Sequence, residues 1–229
     1  MRLLLSSLCF AGLGVFLNAE VLLKEDFNTL ENWEPLTFEK IENHSTYEVK
    51  DSVLIAKSEN SASGIKFKKN YDIYKYPVLK FKWKINNVFE KGNATTKEGD
   101  DYPIRIYVMF EYDPEKASFF EAVKYDLAKT FYGEYPPHSS INYIWSNKKQ
   151  NEKYITSAYT DRAKMAVLNS GIQKANEWQE HSVNVLENYK KAFGENPPTN
   201  VTLAIMSDSD NTGESALSFV DYIEVKQSK

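Results

Sequence analysis

The clearest pattern along the chain is strict alternation. In Val78–Ile85, Leu79, Phe81, Trp83 and Ile85 alternate with Lys80, Lys82 and Lys84. Successive side chains on an extended strand point to opposite faces, so the apolar set predicts a core face and the lysines an outer one. The run 104–111 repeats the pattern. Ile104, Ile106, Val108 and Phe110 share one face, and Arg105, Tyr107, Met109 and Glu111 share the other. Further strands are predicted over 21–27, 36–41, 47–49, 53–57, 64–68, 141–145, 164–168, 178–185, 201–206 and 216–225. Many short strands with polar turns between them predict an all-β chain, a β-sandwich or jelly roll.

Two segments read as helices. Asp113 before Pro114 is a helix-start signal. Phe120, Val123, Leu127 and Phe131 then recur at helical spacing, and Gly133 ends the run. This amphipathic helix, over 114–132, is inserted between two strands. Its apolar face is expected to lie over one end of the sandwich. A second, short helix is predicted over 186–193, closed by Gly194 and then Pro197-Pro198.

The first residues change the picture of where the chain works. Arg2, an apolar stretch from Leu3 to Phe16, and Ala19 before Glu20 predict a cleaved export signal over 1–19. Residues 20–229 are then expected to form a single β-sandwich domain in a bacterial periplasm, or secreted beyond it. The apolar start is too short and interrupted for a membrane span, and no later stretch is long enough for one. Cys9 is the only cysteine and would leave with the signal. Leu8 before it argues against lipidation. A mature chain without cysteine has no disulfide, so packing or a metal must stabilise it, and thiol chemistry is excluded. The formal net charge of −4 gives no clustered positive field, so nucleic acid is not an expected partner. There is no P-loop, no dinucleotide fingerprint and no Gly-x-Ser-x-Gly elbow.

Three polar clusters carry the candidate chemistry. In Asp208-Ser209-Asp210-Asn211-Thr212-Gly213, oxygen-bearing side chains alternate before a glycine. That spacing suits a hard cation such as calcium, although Phe219 stands where an EF-hand would close with glutamate. It equally suits a polar turn whose side chains bond their own backbone. Asp100 and Asp101 precede Arg105, and one of them is expected to pair with it while the other faces a ligand or metal. An ordinary turn with a salt bridge is the alternative. Tyr143 and Trp145 share a strand face and could stack on a sugar ring, or belong to the core as Trp83 and Trp178 are expected to. Asp221 falls in the apolar phase of Leu217, Phe219, Ile223 and Val225. A charge there must be paired or metal-bound, by a calcium shared with Asp26 or by a salt bridge at a strand end. His44, His138 and His181 show no metal-ligand spacing. The predicted ligand set is therefore Asp100, Asp101, Arg105, Tyr143, Trp145, Asp208, Asp210 and Asn211. The predicted metal set is Asp208, Asp210, Asp221 and Asp26.

Gly99-Asp100-Asp101-Tyr102-Pro103 with Arg105, Tyr143-Ile144-Trp145, Thr160-Asp161-Arg162, Trp178, Tyr189 with Phe193-Gly194, and Asp208-Ser209-Asp210-Asn211-Thr212-Gly213 stand in an order that resembles the domain-of-unknown-function 3047 family. The resemblance covers most of the chain after residue 20. It implies an exported bacterial protein and supplies no mechanism. The helical stretch between Asp113 and Tyr135 departs from the family pattern as an insertion. Glu25-Asp26-Phe27 with Trp33, and the closing Phe219-Val220-Asp221-Tyr222-Ile223, also resemble the ends of carbohydrate-binding jelly rolls. That likeness is at fold level only. Three readings stay open. One is a module binding a glycan or similar polar small molecule in an acidic, aromatic groove. The second is a polysaccharide hydrolase or lyase, with Arg105 and Lys82 or Lys84 neutralising a substrate carboxylate and Tyr143 or His138 as base. The third is a structural envelope protein whose clusters only stabilise loops.

Overall fold

The structure is a computed structural model that describes residues 19–132 and 135–228. The expected export signal lies, but for Ala19, outside the described residues. Among the described residues no helix is long and apolar enough to cross a membrane.

Alternation becomes two stacked sheets. The first contains β1 (Val21–Glu25), β3 (Thr46–Lys50), β4 (Val53–Glu59), β7 (Val78–Ile85), β12 (Gln179–Asn184) and β14 (Ser215–Lys226). Its order is β12-β7-β14-β4-β3, with β1 also pairing β14. The second contains β2 (Trp33–Leu36), β5 (Ala62–Phe67), β6 (Tyr71–Asp72), β8 (Tyr102–Phe110), β9 (Ser139–Ser146), β10 (Tyr154–Thr156), β11 (Ala163–Ser170) and β13 (Asn200–Asp208). Its order is β10-β11-β9-β8-β13-β5-β2, with β6 also on β13. Every pairing is antiparallel except β11 with β9. The fold is a jelly-roll β-sandwich with two helices, α1 (Phe119–Tyr132) and α2 (Val185–Phe193).

The predicted apolar phases of β7 and β8 are the core. Leu79, Phe81, Trp83 and Ile85 meet Ile104, Ile106, Val108 and Phe110, all fully buried. Fully burying side chains of this size contributes roughly 1.5–3 kcal/mol each before entropy is counted. Trp83 and Trp145 pack at 6.3 Å between ring centroids. Asn169 Oδ1 accepts from Trp83 Nε1 at 2.9 Å and from His181 Nε2 at 2.7 Å, so the indole and the imidazole share one anchor.

Several expectations are corrected here. The segment 36–41 is not a strand; β2 ends at Leu36 and a turn follows. Trp178 precedes β12 and stands on the outer, lysine-bearing face, with Lys82 and Lys84 Nζ about 5 Å from its ring. The first helix starts at Phe119, not at Pro114. Asp113 and Pro114 belong to a separate turn, and Ser118 caps the helix. Ser118 Oγ accepts from Glu121 N while Glu121 Oε2 accepts from Ser118 N, a reciprocal capping box. The apolar stripe does not cover the sandwich: Phe120 is 84% exposed, and Val123 and Leu127 are exposed too. Phe131 has no described side chain. The helix instead sets Tyr125 flat against Tyr112, centroids 3.8 Å apart. Helix α2 behaves as expected, with Asn184 capping Glu187 N and Gly194 closing it at φ 75°.

Candidate functional site: a groove on the eight-stranded sheet

The outer face of β8 carries Arg105, Tyr107 and Met109. Register places Met206 and Ala204 of β13 beside Arg105 and Tyr107 on one side, and Ile144 and Asn142 of β9 on the other. A groove of about 400 Å³ lies over this floor. Phe38, after β2, and Tyr159, after β10, line it from strands at opposite ends of the sheet order. Phe38 is 40% exposed and Tyr159 55%. The Tyr159 hydroxyl lies 3.3 Å from both Lys97 O and Asn211 Oδ1, which ties that rim to the 208–213 loop.

The acidic end of the groove is built from two segments. The 208–213 loop turns back on itself through Gly213 N donating to Ser209 O, with Gly213 at φ 69°. Only glycine takes that backbone conformation at no steric cost. Asp101, fully buried, clamps the loop. Its Oδ1 accepts from Asn211 Nδ2 at 3.0 Å and its Oδ2 from Thr212 N at 2.6 Å. Asp208, also buried, accepts from Tyr102 N and forms an ion pair with Arg105 Nη2. Asp100 Oδ2 lies 3.5 Å from Arg105 Nη1. Of the expected division between the adjacent aspartates, the arginine half is seen, with Asp100 beside Arg105; Asp101 is engaged by the loop itself, as the turn alternative has it.

Four carboxylates gather at this end of the groove around a single guanidinium paired with two of them, and the electrostatics follow. Burial pushes the Asp208 carboxyl well above its usual range, with Asp101, Asp100 and Asp210 adding to the rise and Arg105 opposing it. Burial also raises Asp100 and Asp210. Burial works against the Arg105 charge, but Asp208 and the other partners more than restore it. Oxygen atoms of Asp101, Asp208 and Asp210 lie within 4.8 Å of one another. This buried, all-oxygen, over-negative set could hold a metal ion, and hard cations prefer such donors. Two further buried polar atoms at the groove, Asn142 Oδ1 and Arg105 Nε, have no hydrogen-bond partner among the described residues.

Other predicted site residues lie elsewhere. Tyr143 and Trp145 belong to the inter-sheet core, fully buried, and do not join Arg105. The Tyr143 hydroxyl accepts from Asn188 Nδ2 at 3.0 Å, and Trp145 Nε1 donates to Gly171 O at 3.0 Å. Both phases of β9 are almost wholly buried, so alternation could not tell its core face from its groove face. Asp221 and Asp26 are not in the carboxylate cluster. A bulge between Val220 and Tyr222 shifts Asp221 out of the core phase, where it pairs with Lys82 at 2.7 Å. Asp26 pairs with Lys24 at 3.0 Å on the surface. The buried carboxylate at that end is Glu25, which accepts from Phe27 N and Trp33 Nε1. Sequence reasoning missed Phe38 and Tyr159 as groove residues, because rim residues on loops carry no period to read. Tyr107 was placed on the Arg105 face by parity, and Asn142 stood beside the predicted Tyr143, but neither was put in the ligand set.

Comparison with known proteins bears on the whole chain. No curated protein matches it. Among solved structures, the lectin from Bauhinia forficata is 8% identical, covering 93% of this chain and 99% of its own, with a TM-score of 0.41. The winged bean acidic lectin is 8% identical over 92% and 99%, with a TM-score of 0.45. Trichoderma harzianum endoglucanase 3 is 6% identical over 92% and 99%, with a TM-score of 0.43. Likenesses of this size say nothing about what this chain binds. The family profile described as "Protein of unknown function (DUF3047)" matches residues 31–224. The expected resemblance is thus a membership: the chain belongs to the DUF3047 family.

Proposed function

We propose that this is an exported glycan-binding protein whose ligand lies in the groove on the outer face of the eight-stranded sheet. The observation that carries the reading is the pair of exposed rings, Phe38 and Tyr159, flanking a floor with an unpartnered polar atom on Asn142. Aromatic faces stack on the apolar faces of sugar rings, and buried polar atoms without partners favour a hydroxyl-rich ligand that supplies them. Calcium at Asp101, Asp208 and Asp210 completes the acidic end. It offsets the excess carboxylate charge there and offers open coordination positions to ligand oxygens. Export by the 1–19 signal, a periplasmic location and a single folded unit over 20–229 are part of the same proposal.

Binding is favoured over lyase chemistry by where the candidate groups lie. The Arg105 guanidinium is taken by Asp208 and Asp100. Lys82 pairs with Asp221 on the other sheet, and the Tyr143 hydroxyl is inside the core. The test is a glycan array on the mature protein with calcium and with chelator, followed by titration of the best saccharide against Phe38→Ala and Tyr159→Ala. Each variant is expected to weaken binding about tenfold without lowering the melting temperature. Unchanged affinity in both variants, or no saccharide bound at all, would overturn the reading.

A further inference from the structure

We infer that the groove takes an extended oligosaccharide and not a single sugar, with the chain continuing from the acidic end into a second arm beside the inserted helix. This rests on the glycan reading above. The second arm is a cavity of about 460 Å³ at the other end of β8. It shares Phe38 and Tyr107 with the first, so the two adjoin along the outer face of β8. From Arg105 to Glu111 the strand advances about 20 Å at roughly 3.3 Å per residue, far more than one sugar ring occupies.

The far arm, like the near one, is lined by aromatic rings. Tyr112 and Tyr135 face it together with the shared Phe38 and Tyr107, which gives ring surfaces along its length. Lys66, paired with Glu34, and Glu111, which accepts from Asn70 Nδ2, stand at its edge. The Tyr112 hydroxyl is shielded from solvent with no hydrogen-bond partner among the described residues. The insertion builds this arm: Tyr125 of α1 stacks on Tyr112, and Tyr135 donates to Asp126 Oδ1 at 2.7 Å. An insertion that walls off a second aromatic arm along the same strand lengthens the ligand surface.

The experiment is calorimetric titration of the mature protein, in calcium-containing buffer, with neutral β-linked hexose and N-acetylhexosamine oligosaccharides of increasing length. Affinity is expected to rise about tenfold or more from the single unit to the longest chain. In Tyr112→Ala and in Tyr135→Ala, each checked for an unchanged melting temperature, the longest chain is expected to bind no tighter than the single unit, whose own affinity is retained. If the wild type binds short and long chains equally, the extended-ligand inference fails and the glycan reading stands. A length dependence that both variants preserve overturns the far arm. If no saccharide of any length binds, both readings fall together.

Discussion

Arg105 shows how a residue with the right parity for a ligand contact can be spent on the fold. Its side chain is on the groove face as the alternation of β8 requires, yet it is 5% exposed and enclosed by Asp208 and Asp100. Removing one partner of a buried pair leaves the others uncompensated, at a cost of about 3–5 kcal/mol. Arg105→Ala should therefore lower the unfolding free energy obtained from urea titration by an amount of that order. A variant with wild-type stability would mean that the guanidinium is solvated and free for a ligand. Trp145 makes the complementary case. It sits between the sheets against Trp83, so Trp145→Ala should cost about 3–5 kcal/mol of stability and act on binding only through folding. A stable Trp145→Ala protein that had lost saccharide binding would return the ring to the groove.

Strands β7 and β8 were legible because one phase is apolar and the other is charged or mixed, which is the pattern of a sheet with one buried face. Strand β9 was legible as a strand but its core face was not, because both phases are buried and Ile144 of the outer face packs in its own cluster with Ala94, Tyr102, Ile155 and Met165. A single bulge in β14 was enough to turn Asp221 from an apparent core charge into a surface ion pair. The start of α1 was misplaced because Asp113-Pro114 looked like a cap, while the reciprocal Ser118 and Glu121 bonds lay one turn further on. Strand β12 offers a test through pH. His181 packs on Phe81 and Trp83, and burial, with Lys174 nearby, holds its imidazole below the ordinary value of 6.5. In the unfolded chain it takes up a proton near that ordinary value. The unfolded state then binds more protons between 6.5 and the lower folded value. Stability from this residue is full above pH 6.5 and declines as pH falls below it. Urea midpoints measured across that window should decline less steeply in His181→Gln than in the wild type; identical slopes would show that the imidazole titrates alike in both states.

Across the molecule, the two sheets divide the work. The six-stranded sheet turns compensated lysines and Trp178 to solvent, whereas the eight-stranded sheet holds the groove, the carboxylate cluster and the inserted helix. Two of the three polar clusters read from the sequence converge, because the pairing of β13 with β8 brings Asp208 opposite Tyr102. Of the third, Asn142 reaches the groove floor, while the rings of Tyr143 and Trp145 belong to the core. A cation binding only the folded state would stabilise it by about 2.7 kcal/mol at a hundredfold excess over its dissociation constant. The melting temperature should accordingly drop in chelator and recover with calcium, and Asp210→Asn should blunt the recovery. A chelator-insensitive protein would leave the carboxylates as loop clamps alone. The most direct measurement of the central claim is backbone hydrogen exchange on the protein in calcium-containing buffer, with and without the saccharide chosen by the array. Slower exchange is predicted in the loops that rim the groove, at 37–41, 157–162 and 208–213, with no change in β7 and β12. Protection confined to the six-stranded sheet, with the three rim loops unaffected, would contradict it.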